Sequence, residues 1–121
     1  MSIKHSDLAR DAMADAVTFL VDGGSLVLLT AKGSTVATMP LEKPAFQPSS
    51  GGKAVADTIG RDKGAKGGKA TKFELRGSGG AVILGGSVGM PGESADLTLQ
   101  ATDIPAGWPV EVSEFVWRAP K

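Results

Sequence analysis

The chain has 121 residues, 13 basic and 13 acidic side chains, one His and no Cys. No cysteine means no zinc finger, Fe–S cluster, disulfide scaffold or thiol nucleophile, and one His cannot build a two-His metal site. Zero net charge argues against a dedicated nucleic-acid binder, and there is no run of about 18 apolar residues to span a membrane.

The length suits a single domain spanning residues 1–121. Ser6 or Asp7 caps a predicted helix over residues 6–22, with Asp7 and Asp11 at its positive end. Leu8, Ala9, Ala12, Met13, Ala16, Val17 and Leu20 recur at three- and four-residue spacings and form the stripe expected to pack, with Phe19 off it. The other side carries Arg10, Asp11, Asp15 and Thr18, too acidic for a membrane-surface helix. Asp22-Gly23-Gly24 stops the helix, since Gly reaches the left-handed conformation without steric cost.

The period then changes to two. Ser25 to Ala31 reads as a strand buried on both faces, Lys32-Gly33-Ser34 as a turn, and Thr35 to Leu41 as a second strand with Ala37, Met39 and Leu41 on one face. Pro40 places that strand at an edge or near its end. Residues 42–52 are a connector in which Phe46 is the one large apolar plug, and Lys53 to Ile59 is a weak strand with Val55 and Ile59 as its apolar members. Residues 60–70 form the most polar and flexible stretch. Thr71, Phe73 and Leu75 alternate with Lys72, Glu74 and Arg76, a strand buried on one face. Gly77-Ser-Gly-Gly80 is a hairpin turn, Ala81 to Leu84 returns, and Gly85 to Gly89 ends that strand. After a loop at 90–94, Leu97 and Leu99 point inward from Asp96 to Gln100. Residues 104–109 turn. In the last strand, Val110 to Arg118, a one-residue bulge would bring Phe115 and Trp117 into phase with Val110 and Val112. The expected fold class is mainly β. It is a β-sandwich or small barrel of about seven short antiparallel strands (25–118) preceded by one N-terminal α-helix (6–22).

Candidate chemistry is sparse, and no catalytic, cofactor-binding or metal-binding residue is selected. Gly64-Ala-Lys-Gly-Gly-Lys69-Ala-Thr71 fails as a phosphate loop: Lys63 stands where the first Gly belongs, Ala70 follows the lysine, and a strand rather than a helix comes next. Gly77 to Gly80 fails as a dinucleotide fingerprint because Val82 replaces the third Gly. His5, beside the N-terminus, reads as a solvent-exposed residue rather than a base. The carboxylates show no spacing that selects a catalytic pair. Arg61, Lys63, Lys66, Lys69 and Lys72 form a basic run read either as a solvated loop or as a contact for an acidic partner; it lacks the interleaved aromatics of a single-stranded nucleic-acid binder. Trp108, between Gly107 and Pro109, reads as capping an edge and could stack a sugar ring; Trp117 reads as core. The start of the chain does not read as a signal peptide.

One resemblance adds direction. The helix ending in Gly23-Gly24 and the strand after it, Pro44-Ala-Phe46 with Ser50-Gly-Gly52, and Gly68-Lys-Ala-Thr-Lys-Phe73 carry its first half. Ser78-Gly-Gly80, Gly85-Gly-Ser-Val-Gly89, Ala95-Asp-Leu-Thr-Leu99 and Ala106-Gly107 carry the rest. In this order they resemble a family of small all-β phage virion structural proteins, of the head decoration or cement kind. The lysine-rich 61–72 stretch and Trp117-Arg118 depart from the family pattern. The resemblance implies a non-enzymatic structural protein without cofactor, made in the host bacterial cytoplasm and located in the virion. Its partners would be the major capsid protein or other virion proteins, within a homo-oligomer, with no nucleic acid and no membrane. Alternatives are a tail, neck or fibre-anchoring protein, or a host-directed carbohydrate-binding β-sandwich module.

Overall fold

Ser6 stands at the N-cap of the helix. Its side chain accepts a hydrogen bond from the Ala9 amide at 3.1 Å and caps α1, Asp7–Phe19. The computed structural model describes residues 6–51, 53–56, 59, 60, 62, 64–90, 92, 95–99, 101–110, 112 and 115–118, the last three of these by backbone alone. Gly23, at φ 69°, ends the helical turn region as expected.

The face of α1 that packs is not the expected stripe. Arg10, Ala14 and Thr18 are buried, with Val21 just beyond, and Met13 is partly covered. Leu8 and Phe19 are 83% and 71% exposed, and Ala12, Ala16 and Leu20 are exposed beside them. Two physical causes set this rotation. The connector holds the helix: the Ser49 amide donates to Asp15 Oδ1 (2.9 Å), the Ser49 hydroxyl to the Asp11 carbonyl (2.9 Å), and the Ala45 amide to Asp22 Oδ1 (2.8 Å). And Ala14 is small enough to let the helix axis close on the strand beneath it, which a Leu or Phe would hold away.

Nine strands follow among the described residues: β1 (Ser25–Leu29), β2 (Thr35–Pro40), β3 (Lys53–Val55), β4 (Gly68–Lys69), β5 (Lys72–Arg76), β6 (Val82–Gly89), β7 (Leu97–Thr98), β8 (Asp103–Ile104) and β9 (Val116–Arg118). Five make a curled mixed sheet in the order β2-β1-β5-β6-β7. The fold is mainly β with one N-terminal helix, consistent with a small barrel or sandwich. β1 is buried on both faces from Leu26 to Leu29, as its unbroken apolar run predicts. The β6–β7 pairing runs parallel (Val88 beside Leu97) rather than antiparallel, although Leu97 and Leu99 do face inward.

The remaining chain closes the curl. Segments 53–70 and 102–118 run antiparallel as one interrupted ribbon, through β3–β9, the Asp62–Val110 bridge and β4–β8. The start of this ribbon also lines the free edge of β2. Ile59 bridges Leu41, the Gly60 amide donates to the Pro40 carbonyl (2.8 Å), and the Thr38 amide donates to Asp62 Oδ2 (2.8 Å). The Gly67 amide reaches the Val36 carbonyl at 3.2 Å. An edge strand that would otherwise present unpaired groups is thereby covered. Within 60–70, expected as a flexible loop, the amides of Gly60, Asp62, Ala65, Gly67 and Ala70 are thus hydrogen-bonded to backbone carbonyls on two sides. In β3 the inward residue is Ala54, fully buried, with Val55 and Ile59 only half-buried.

β6 continues through the glycines expected to end it. The reason lies across the sheet. A Cβ on Gly86 would stand 2.8 Å from Phe73 Cε1, so the Phe73 ring lies over this stretch of β6 and only Gly fits beneath it. Phe115 packs edge-on to both Phe73 (centroids 5.3 Å) and Phe46 (5.9 Å), so one ring from each of three distant segments meets at the centre of the core. Phe46 therefore plugs the connector as expected. Val110, Val112 and Phe115 are all buried, but the bulge expected between them lies at residues outside the described set, as does the side chain of Trp117.

Candidate functional site

Two surfaces stand out, one apolar and one basic. The apolar surface is the outward face of α1. Leu8, Ala12, Ala16 and Phe19 follow one another at helical spacing, so they form a single ridge, with Leu20 (54% exposed) at its end. Small Ala12 and Ala16 lie between the two bulky ends, leaving a saddle along the ridge. Exposed single apolar residues are ordinary, whereas a continuous apolar ridge is the kind of surface that interaction sites use. The helix spacing was legible in the sequence; which side faced out was not, because the buried face carries Arg10 and Thr18 beside Ala14.

The basic surface lies on the ribbon. A tight turn interrupts the 102–118 side of the ribbon: the Trp108 amide donates to the Pro105 carbonyl (3.3 Å), with Gly107 at φ 85° in the third position, as a type II turn requires. Gly107 also donates to the Ala65 carbonyl (2.7 Å) while Ala65 donates to the Trp108 carbonyl (3.0 Å). This is the bonding of a glycine bulge, in which one extra residue re-aims the side chain that follows. Ile104 and Val110 on either side of the turn are buried, yet Trp108 is 62% exposed. It stands clear of the surface rather than folding down to cap an edge.

Lys66 and Lys69 are exposed along the partner strand, and Lys72 is exposed at the start of β5. Gly68, Lys69, Asp103, Ile104 and Pro105 line an open depression of about 330 Å³ beside the turn. Lys69 faces Asp103 in register. Asp62, the acidic residue within the lysine run, is engaged inward, accepting from Thr38 and from the Gly64 amide (3.0 Å). Arg61 and Lys63 of the same run, and His5, lie outside the described residues.

The segment that mimicked a phosphate loop is the β4 strand and its approach, with no helix following it. Among the described residues no cluster of three or more His, Cys, Asp or Glu side chains is placed to hold a metal. No helix of the described chain is long and apolar enough to cross a membrane. Comparison with protein-family models, with curated proteins and with solved structures returned no significant match.

Proposed function

We propose that the chain is a non-enzymatic structural subunit of a bacteriophage particle, of the head decoration or cement kind, that docks on the capsid lattice. The outward ridge of α1 is the observation that carries this reading. A closed β-domain holds the helix by its Arg10-Ala14-Thr18 face and presents Leu8, Phe19 and Leu20 to the exterior. A lattice-bound subunit needs a shape-matched apolar contact repeated by symmetry rather than a deep polar pocket, and repetition multiplies modest single-site affinity. The resemblance of the turn order to small phage virion proteins supports the same reading.

The test is co-sedimentation with undecorated capsids of the phage that encodes the chain. Wild-type protein is expected to co-sediment at lattice-scale stoichiometry. The double variant Leu8→Asp, Phe19→Asp should stay folded by circular dichroism and remain in the supernatant. Binding through an apolar ridge should change little with salt, since screening acts on charges. Wild-type protein that ignores capsids, or a double variant that binds undiminished, overturns the proposal.

A further inference from the structure

The geometry points to a second surface: the turn carrying Trp108 and the lysine strand beside it form a binding site for an anionic glycan. This site stands independently of capsid docking, being on the ribbon and not on α1.

The argument begins with the cost of exposing an indole. Burying a Trp is strongly favourable, and Ile104 and Val110, which flank the turn that carries Trp108, are buried. The Gly107 bulge turns it out instead, and the turn is rigidly bonded at three points: Pro105 to Trp108, and twice to Ala65. The platform is therefore built into the backbone rather than being a loose side chain. A flat, exposed indole is suited to lie against the apolar face of a sugar ring.

The surroundings select the charge of that sugar. Gly67 brings the lysine strand against the 104–106 turn so closely that a Cβ there would sit 2.7 Å from the Ala106 amide. Lys66 is adjacent in sequence to that contact, and Lys69 lines the depression beside the turn. Their ammonium groups are exposed donors for carboxylate, sulfate or phosphate oxygens. Asp103, opposite Lys69, is the one acidic residue lining the depression, and it is placed to accept hydrogen bonds from sugar hydroxyls. Asp62 keeps its charge, but the Thr38 and Gly64 amides hold its two oxygens against the backbone. The floor contains backbone and Ile104 rather than a deep cavity, which fits a chain lying along a surface better than an enclosed small molecule.

The test is a titration of the full chain, followed by isothermal calorimetry and Trp fluorescence, with tetragalacturonate and a chondroitin sulfate tetrasaccharide as acidic probes and galactotetraose as the neutral comparator. At least one acidic probe is expected to bind, weakening as salt is raised. Trp108→Ala should weaken binding about tenfold or more, as loss of a central Trp anchor does. That variant should keep its fold, because the residue's bonds to Ala65 and Pro105 are made by backbone atoms. The pair Lys66→Gln, Lys69→Gln should remove the salt dependence and bring the acidic probe down to the neutral one. Three results overturn the proposal: no binding of either acidic probe, equal binding of galactotetraose by wild-type protein, or acidic-probe binding unmoved by Trp108→Ala.

Discussion

The rotation of α1 is testable by placing one substitution at two positions. Ala12 lies on the apolar stripe that periodicity selects, and Ala14 lies off it. The structure reverses their roles, with Ala12 exposed and Ala14 fully buried. Ala→Leu adds three carbon atoms and changes helix propensity little. At position 14 those atoms enter a region where Val21 and Ala54 have no more than 1% of their surface exposed. Either the core is overpacked, or α1 lifts and stretches the Ser49–Asp15 and Ala45–Asp22 hydrogen bonds. Overpacking costs about 1–3 kcal/mol, and each strained hydrogen bond roughly 0.5–1.5 kcal/mol. The two routes are alternatives, so Ala14→Leu should lose about 1–3 kcal/mol in total. Ala12→Leu should stay within about 0.5 kcal/mol of wild type, as exposed substitutions do. Equilibrium urea unfolding followed by circular dichroism measures both. If Ala12→Leu is the more damaging variant, the apolar stripe faces the domain interior, and the surface on which docking is proposed does not exist.

Phe115→Ala should be among the most destabilising single changes, at about 3–5 kcal/mol, because it deletes a buried ring and both edge-on aromatic contacts at once. A double-mutant cycle with Phe46→Ala should show coupling between the two positions in urea unfolding. Thr71 Oγ1 is buried with no hydrogen-bond partner among the described residues. Thr71→Val removes that orphan hydroxyl at equal shape and should raise stability by about 1 kcal/mol, seen as a higher urea midpoint. Gly107→Ala forces a side chain into a left-handed position and should cost roughly 1–2 kcal/mol. Its effect on Trp108 is read by acrylamide quenching, which should fall if the bulge relaxes and the indole turns inward.

Much of the fold was legible because strong local signals agreed with the final packing. The unbroken apolar run of β1, the alternation of β5, the Ser6 cap and the Phe46 plug all depend on residues whose preference is set within a few positions. The misreadings share another cause. Gly85 and Gly86 read as a strand end, but they serve Phe73 on the next strand, and that ring is remote in sequence from neither flank alone. β7 offers only Leu97 and Leu99, a pattern that fits a parallel neighbour as well as an antiparallel one. The 60–70 segment looks like a loop because, the Asp62 carboxylate apart, its partners on the β2 edge and in residues 102–110 bond to its backbone. Backbone pairing leaves almost no trace in composition.

Both candidate surfaces arise from the same kind of mismatch. Leu8, Ala12, Ala16 and Leu20 occupy the stripe that periodicity assigns to the interior, and Trp108 stands exposed between buried Ile104 and Val110. In each case a specific local device overrides the pattern. For α1 it is the Ser49 and Ala45 hydrogen bonds with small Ala14 beneath the helix; for Trp108 it is the Gly107 bulge. Turning an apolar side chain outward forgoes its burial energy, on the order of 1.5–3 kcal/mol for a large residue. A packing accident would be expected at scattered positions. Here the outward residues are contiguous on α1 and held by a bonded turn at Trp108, so the forgone burial is recoverable only when a second molecule covers them. The apolar ridge, with no exposed Lys or Arg among the described residues of α1, suits a protein surface; the indole beside lysines suits an anionic one, and raising the salt concentration should separate the two contacts because it weakens only the second.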